Sequence, residues 1–255
     1  MNREWQTLKV WVDGKVGHVL LNRPQVLNAL NYTVVLELEQ AVRELETRAR
    51  VILIEGAGDH FCAGADLRYV AETDKLRELI EQINRAFFTI ERAPIPVVAA
   101  VHGYALAGGF ELMQACDVVI VADNATIGDQ HSNFGLIPGG GGSQRLPRLI
   151  GRQRALALLL SGDRLNGQEA VAWGLAYRSV PFTQLAEQGT AFAQTLATKS
   201  KGGLKALKYL VESGSERGLT EAIDLEVDTF LEWVRGRDAQ EGLRAFRERR
   251  TPDFE

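Results

Sequence analysis

Two short segments of this 255-residue chain carry residue types suited to holding a negatively charged oxygen. One is Ala107-Gly-Gly-Phe-Glu-Leu-Met-Gln-Ala-Cys116, where two glycines open a helical run and Glu111 follows about a turn later. The other lies upstream and reads Phe61-Cys-Ala-Gly-Ala-Asp-Leu67. The first N–H groups of a helix have no partner within it and carry the positive end of its dipole. Glycine there lets a substrate approach the backbone with no Cβ in the way. Gly108 is placed to offer such an N–H, and Glu111 lies on the same helical face. A backbone donor beside a carboxylate suits a reaction that forms an enolate and moves a proton. One such donor is typically worth about 10²–10³ in rate. A lone Gly-Gly reads more simply as a tight turn, but the two segments with their surroundings favour the donor. Phe110, Leu112 and Met113 around Glu111 point to burial rather than a helix surface.

The elements that must position these residues follow from periodicity. Residues 10–12 and 16–21 read as strands joined by Asp13-Gly14, a hairpin signal. Helical spacing runs from 31 to 48, and residues 51–54 form a short apolar strand ended by Gly56-Ala-Gly58. Further helices start near Asp66 and Lys75, the second running to Arg92 and stopped by Pro94 and Pro96. Residues 97–101 and 118–121 read as buried strands. Alternation of strands and helices to about residue 150 indicates an α/β fold. From Arg152 the pattern is nearly all helical, broken by Gly162, Gly167, Pro181 and Gly202-Gly203. Periodicity alone also admits a doubly wound sheet.

The length suits one large domain, or a domain with a small C-terminal lobe. Net charge is −4 and the sequence pI about 5.7, which argues against a general affinity for nucleic acid or anionic membrane. Only Cys62 and Cys116 occur, with neither a CxxC nor an HExxH motif, so a reducing compartment and no metal are expected. Met1-Asn-Arg-Glu-Trp5 lacks the apolar stretch of a signal peptide. No apolar run of about 18 residues is present, so no membrane span is expected and the cytoplasm is the expected location.

Several further segments extend the pattern in order along the chain. They are Val19-Leu-Leu-Asn-Arg-Pro-Gln-Val-Leu-Asn-Ala-Leu-Asn31, Pro96-Val-Val-Ala-Ala-Val-His-Gly103 and Phe134-Gly-Leu-Ile-Pro-Gly-Gly-Gly-Gly-Ser-Gln-Arg-Leu146. Ala170-Val-Ala-Trp-Gly-Leu175 and Glu241-Gly-Leu-Arg-Ala-Phe-Arg-Glu-Arg249 complete the set. With the two glycine segments, they resemble the crotonase (enoyl-CoA hydratase/isomerase) family. The resemblance implies a spiral of ββα units over residues 1–195 and a helical region over 196–255 that makes trimer and CoA contacts. It implies an acyl-CoA substrate, so that coenzyme A arrives on the substrate and is not a resident cofactor. A homotrimer or dimer of trimers is implied as well. The enolate is then held by the backbone N–H groups of Ala63 and Gly108, with Glu111 as the main acid/base. Arg23, Val26, Ala63, Gly64, Ala65, Asp66 and Gly108 match positions that line the CoA path. Phe246 and Arg249, taken to share a helical face, match positions reaching a neighbouring subunit's CoA. A solvated face is the other reading, given Arg244, Arg247 and Arg250 beside them.

One position departs from the family pattern. Hydratases of this family use two glutamates, and the second is expected where Ile127-Gly-Asp-Gln-His-Ser-Asn-Phe134 places His131. Histidine exchanges protons near neutrality and so can stand in for a carboxylic acid. It can equally line the pocket or bind a polar substrate group, and Asp129 and Gln130 are neighbours able to supply a carboxylate or an amide. Reversible hydration of a 2-enoyl-CoA is the first expectation. Isomerisation, another acyl-CoA hydrolase or lyase reaction, and a non-catalytic CoA-binding role stay open. Gly139 to Gly142 lack the Lys-Ser/Thr of a phosphate loop and read as backbone fitted close to the pocket. Cys62 reads as a buried structural thiol, and His18, His60 and His102 as packing or surface residues.

Overall fold

The computed structural model describes residues 4–254. Its strands are β1 (Leu8–Asp13), β2 (Val16–Leu21), β3 (Val51–Gly56), β4 (Val97–Val101), β5 (Tyr104–Leu106), β6 (Val118–Ala122), β7 (Thr126–Gly128) and β8 (Arg178–Val180). The helices of the first half are α1 (Tyr32–Arg48), α2 (Leu67–Glu72), α3 (Leu76–Glu91), α4 (Gly108–Gln114) and α5 (Gly142–Ile150). Then come α6 (Arg152–Ser161), α7 (Gly167–Trp173), α8 (Phe182–Ala197), α9 (Lys201–Ser215), α10 (Leu219–Trp233) and α11 (Arg237–Glu248).

β1 and β2 form the expected hairpin, with Leu8 opposite Leu21 and Asp13 opposite Val16. The turn works because Gly14 sits at φ +58°, where a Cβ is disfavoured. β3, β4, β6 and β8 add in parallel to give a six-stranded sheet in the order β1-β2-β3-β4-β6-β8. The runs Val51-Ile-Leu-Ile54 and Val97-Val-Ala-Ala-Val101 are buried on both faces, as parallel strands covered on each side must be.

A second, smaller layer makes this a spiral rather than a doubly wound sheet. β5 pairs in parallel with β7, and single bridges Leu30–Ala65, Cys62–Ala105 and Ile127–Leu165 extend the ladder on either side. Each turn thus runs long strand, short strand, helix, as in β4-β5-α4. β5, β7 and β8 each span three residues, too few for a period to register in the sequence.

The helices bury the stripe that their spacing predicts. α1 turns Val34, Val35, Leu38, Ala41, Val42 and Leu45 inward, and Asn31 caps it by accepting the Val34 N–H at 3.0 Å. α8 lies on β3, β4 and β6, where Gly189 allows close approach to Ala100. α8 continues to Ala197, so the division expected at 195/196 falls inside its last turn and the break comes at residues 198–200. Beyond it no residue of α9 or α10 is buried, and Leu207, Val211, Leu219, Ile223, Val227 and Phe230 are exposed. No helix among the described residues is long and apolar enough to cross a membrane.

α4 rests directly on the Phe61–Leu67 segment. A Cβ at Gly109 would stand 2.1 Å from the Cys62 carbonyl oxygen, which belongs to rigid backbone. Gly109→Ala is therefore expected to destabilise the fold by about 1–3 kcal/mol through overpacking. A lower urea midpoint with an unchanged m-value checks this, and an unmoved midpoint refutes it.

Candidate active site

The pole of α4 is set by strained backbone. Ala107, which precedes the helix, holds φ 47° and ψ −117°, a conformation that side-chain-bearing residues rarely adopt. Its N–H donates to the Gly128 carbonyl at 3.0 Å, and its own carbonyl accepts the Glu111 N–H at 2.9 Å. Strand β7 and the first turn of α4 thus hold it from both sides. Gly64, at φ +112°, brings the upstream segment alongside; a Cβ there would lie 3.0 Å from the Ala107 Cβ and 3.3 Å from the Gly108 nitrogen. That segment is pinned to the second layer by Leu30 N–H to Gly64 O and Asp66 N–H to Leu30 O, both 2.8 Å.

The pairing corrects one expected donor. The Ala63 N–H is already committed to the Leu27 carbonyl at 3.0 Å, so it does not face the site as a free donor. The Ala65 N–H makes no hydrogen bond among the described residues, nor does that of Gly108. The two are neighbours, since a Cβ on Gly108 would come 3.3 Å from the Ala65 nitrogen. The neighbouring N–H groups left free are therefore those of Ala65 and Gly108, and the Ala63 N–H anchors the loop. Two alanines flank Gly64, and only the tertiary bond to Leu27 distinguishes them.

Glu111 is 2% exposed. Its Oε1 accepts the Gly140 and Gly142 N–H groups, each at 2.8 Å, while Oε2 makes no hydrogen bond among the described residues. Gly140 fits because a Cβ there would strike Oε2 at 2.8 Å and the Phe87 ring at 2.9 Å. The glycine run is thus the close-fitting backbone expected, and its specific task is to hold one carboxylate oxygen and leave the other open. Asn84 fastens this loop through the Gly139 carbonyl at 2.8 Å, and Arg145 through that of Gly140 at 2.7 Å. Burial pushes the Glu111 carboxyl above the ordinary carboxylate value. The Gly142 N–H, the His131 charge and the Gly140 N–H oppose this, and the Asp129 charge adds to it.

His131 opens a short 3-10 turn, His131–Phe134, entered through Gln130 in the left-handed region at φ 64°. Its Nδ1 lies 2.9 Å from Asp129 Oδ1, and its backbone N–H reaches the same oxygen at 3.2 Å. Burial pulls the imidazole pKa down, but the Asp129 hydrogen bond and the charges of Asp129 and Glu111 outweigh it, and the net shift is upward. Gln130 is spent on structure: its amide donates to the Gly162 carbonyl at 2.6 Å and accepts from Arg164 Nε at 2.9 Å. Glu111, His131 and Asp129 form one electrostatic cluster, in which the Asp129 charge acts on both Glu111 and His131 and those two act on each other.

Arg23 pairs with Asp66 at 3.1 Å and donates to the Ala29 carbonyl at 2.7 Å. Asp66 also caps α2. Val26, in the Pro24–Val26 3-10 turn, is half-buried. Arg23 and Asp66 therefore meet at the end of the site marked by Gly64 and Ala65. Asn28, which the sequence reading passed over, locks this end. It takes the Arg23 N–H at 2.9 Å and donates to the Ala57 and His60 carbonyls at 2.9 and 2.7 Å. Its φ of 55° is a signal that only a backbone reveals.

Phe246 and Arg249 are exposed at the far C-terminal helix, and no bond described ties either to the site. α11 ends at Glu248 and Arg249 turns left-handed at φ 55°, so the shared helical face expected of the two is not formed. Arg244 and Arg250 pair with Glu241. Burial pushes the Cys62 thiol up to about 12, which keeps it from acting as a nucleophile. His18 stacks on Trp11 at 4.6 Å, His60 on Tyr104 at 4.2 Å, and His102 bonds the Gly58 carbonyl at 2.9 Å, all packing roles.

A ββα spiral presenting two free backbone N–H groups beside a half-clamped, buried carboxylate defines a protein built to hold an oxyanion next to a proton carrier. The Enoyl-CoA hydratase/isomerase family model matches residues 12–255, and this chain belongs to that family. It is 37% identical to a probable enoyl-CoA hydratase of Mycobacterium tuberculosis, covering 98% of both chains. It is 34% identical to a crotonyl-CoA hydratase of Syntrophomonas wolfei, covering 94% of each. The structure of an enoyl-CoA hydratase from Bacillus anthracis superposes with a TM-score of 0.94 at 34% identity, covering 98% of this chain and 99% of that one.

Proposed function

We propose that this protein is an enoyl-CoA hydratase that adds water reversibly across the double bond of a 2-enoyl-CoA. The observation that carries the reading is Glu111. One oxygen is clamped by Gly140 and Gly142, the other is open, and the carboxylate sits one turn into the helix whose pole, with Ala65, offers two free N–H groups. In the forward direction, Glu111 Oε2 takes a proton from water as the water oxygen bonds to Cβ. The π electrons move onto the thioester oxygen, where Ala65 and Gly108 hold the enolate. The enolate re-forms the carbonyl as Cα takes a proton from His131. The protonated Glu111 then returns its proton to His131, directly or through solvent, and net H and OH have been added. Every step is a proton transfer or a C–O bond change, so none calls on a redox or metal centre.

The pH dependence follows from the two shifts. Glu111 must be ionised to act, and its raised pKa means that activity is lost as pH falls through a value above the ordinary 4.5. His131 must be protonated to donate, and its raised pKa keeps it active until pH passes a value above the ordinary 6.5. A bell-shaped kcat/KM profile is expected, and His131→Ala removes its alkaline limb.

The first test is loss of the conjugated enoyl absorbance of crotonyl-CoA, with a 3-enoyl-CoA run alongside. Rapid loss supports the hydratase. Silence on crotonyl-CoA with conjugation of the 3-enoyl substrate makes the protein an isomerase, which needs one proton shuttle and one carboxylate. We further place it in the cytoplasm, supported by its two unpaired cysteines. A trimer or dimer of trimers is supported by the apolar residues left exposed on α9 and α10.

A further inference from the structure

We propose that Asp129 is a positioning residue that fixes the His131 ring with Nδ1 turned to its carboxylate, leaving Nε2 as the atom that exchanges a proton in the site. The role rests on the hydratase reading above, but the arrangement stands on geometry. Asp129 lies immediately after β7, the strand whose Gly128 carbonyl holds Ala107 at the pole of α4. It is 1% exposed, so its carboxylate has one fixed position. Oδ1 receives both the main-chain N–H of His131 at 3.2 Å and the ring Nδ1 at 2.9 Å. The same atom therefore sets the backbone turn and the ring orientation. An ionised carboxylate only accepts hydrogen bonds, so Nδ1 carries the hydrogen in both the neutral and the charged ring. Proton exchange is then confined to Nε2, which makes no hydrogen bond among the described residues and is not sealed off.

The remaining oxygen of Asp129 adds a second observation. Oδ2 is enclosed with no hydrogen-bond partner among the described residues. A buried carboxylate oxygen left unpaired is costly to the fold. Among the described residues, the one side chain hydrogen-bonded to this carboxylate is the imidazole, and an imidazolium there cancels its charge. Gln130, between the two, has both ends of its amide bonded to the segment 162–164 and cannot take over either task. The group standing at the second proton-transfer position is thus a carboxylate–imidazole pair, not a histidine alone. The charged groups acting on that ring are Asp129 and Glu111.

The test combines ring ¹⁵N chemical shifts with kinetics. His131→Gln identifies the His131 resonances among those of the four histidines. In the wild-type protein, the neutral ring is expected to carry its proton on Nδ1; a proton on Nε2 overturns the proposal whatever the activity. Asp129→Asn is expected to move proton population to Nε2 and to lower kcat by about 10–100-fold, the usual cost of removing an orienting partner, with KM largely unchanged. A variant whose tautomer is unmoved, or whose loss lies wholly in KM, overturns it too. Should the wild-type protein turn over no enoyl-CoA, the hydratase reading fails while the ¹⁵N shifts still decide what Asp129 does to His131.

Discussion

Glu111→Gln is expected to lower crotonyl-CoA turnover by about 10²–10⁴-fold, the range that a positioned acid/base supplies. The change is a sharp probe because the site tolerates it sterically. The amide oxygen can take the place of Oε1 and still accept the Gly140 and Gly142 N–H groups, so the glycine loop keeps its anchor. The amide nitrogen then occupies the position of Oε2, where it cannot take a proton from water. Removing a charge that burial disfavours imposes no folding penalty of its own. CoA-side contacts around Arg23 and Asp66 are untouched, so KM should move little. Steady-state kinetics with a thermal melt decides the matter. Turnover within about ten-fold of wild type removes Glu111 from the chemical step.

The second large effect lies in the backbone. Replacing the Ala65 amide by an ester deletes one N–H and keeps the methyl side chain. It is expected to lower kcat by about 10²–10³-fold, the worth of one oxyanion donor. The same replacement at Ala63 should behave differently. Its N–H serves the Leu27 carbonyl, so its loss should cost about 0.5–1.5 kcal/mol of stability and little of kcat. The pair of variants separates a donor aimed at substrate from one aimed at the fold. Equal kinetic losses at both positions would refute the assignment of Ala65.

Both predictions turn on contacts that join distant parts of the chain, which is where sequence and structure divide. The six-stranded sheet was largely legible because Val51-Ile-Leu-Ile54 and Val97-Val-Ala-Ala-Val101 are continuous apolar runs rich in β-branched residues. α1 was legible from its spacing and from Asn31 at its start. The second layer was not, since its pieces are three-residue strands and single bridges whose pairing comes from the turn of the spiral. α8 runs to Ala197, past the 195/196 division that the resemblance implied, and no glycine or proline marks its stop.

For the site, the sequence by itself determined the chemistry available: a glycine pair at a helix pole, a glutamate on the same face, and a histidine where the family expects an acid. Those are local features, carried by residue type and by spacing within one or two turns. The tertiary structure alone decided which atoms are free to use them. Ala65 rather than Ala63 keeps a free N–H because Leu27 claims the other. Glu111 presents a single oxygen because Gly140 and Gly142 hold its twin, and His131 has an orientation because Asp129 is buried beside it. Hydrogen-bond capacity is written into each residue, but which bonds are already made depends on neighbours that only folding supplies.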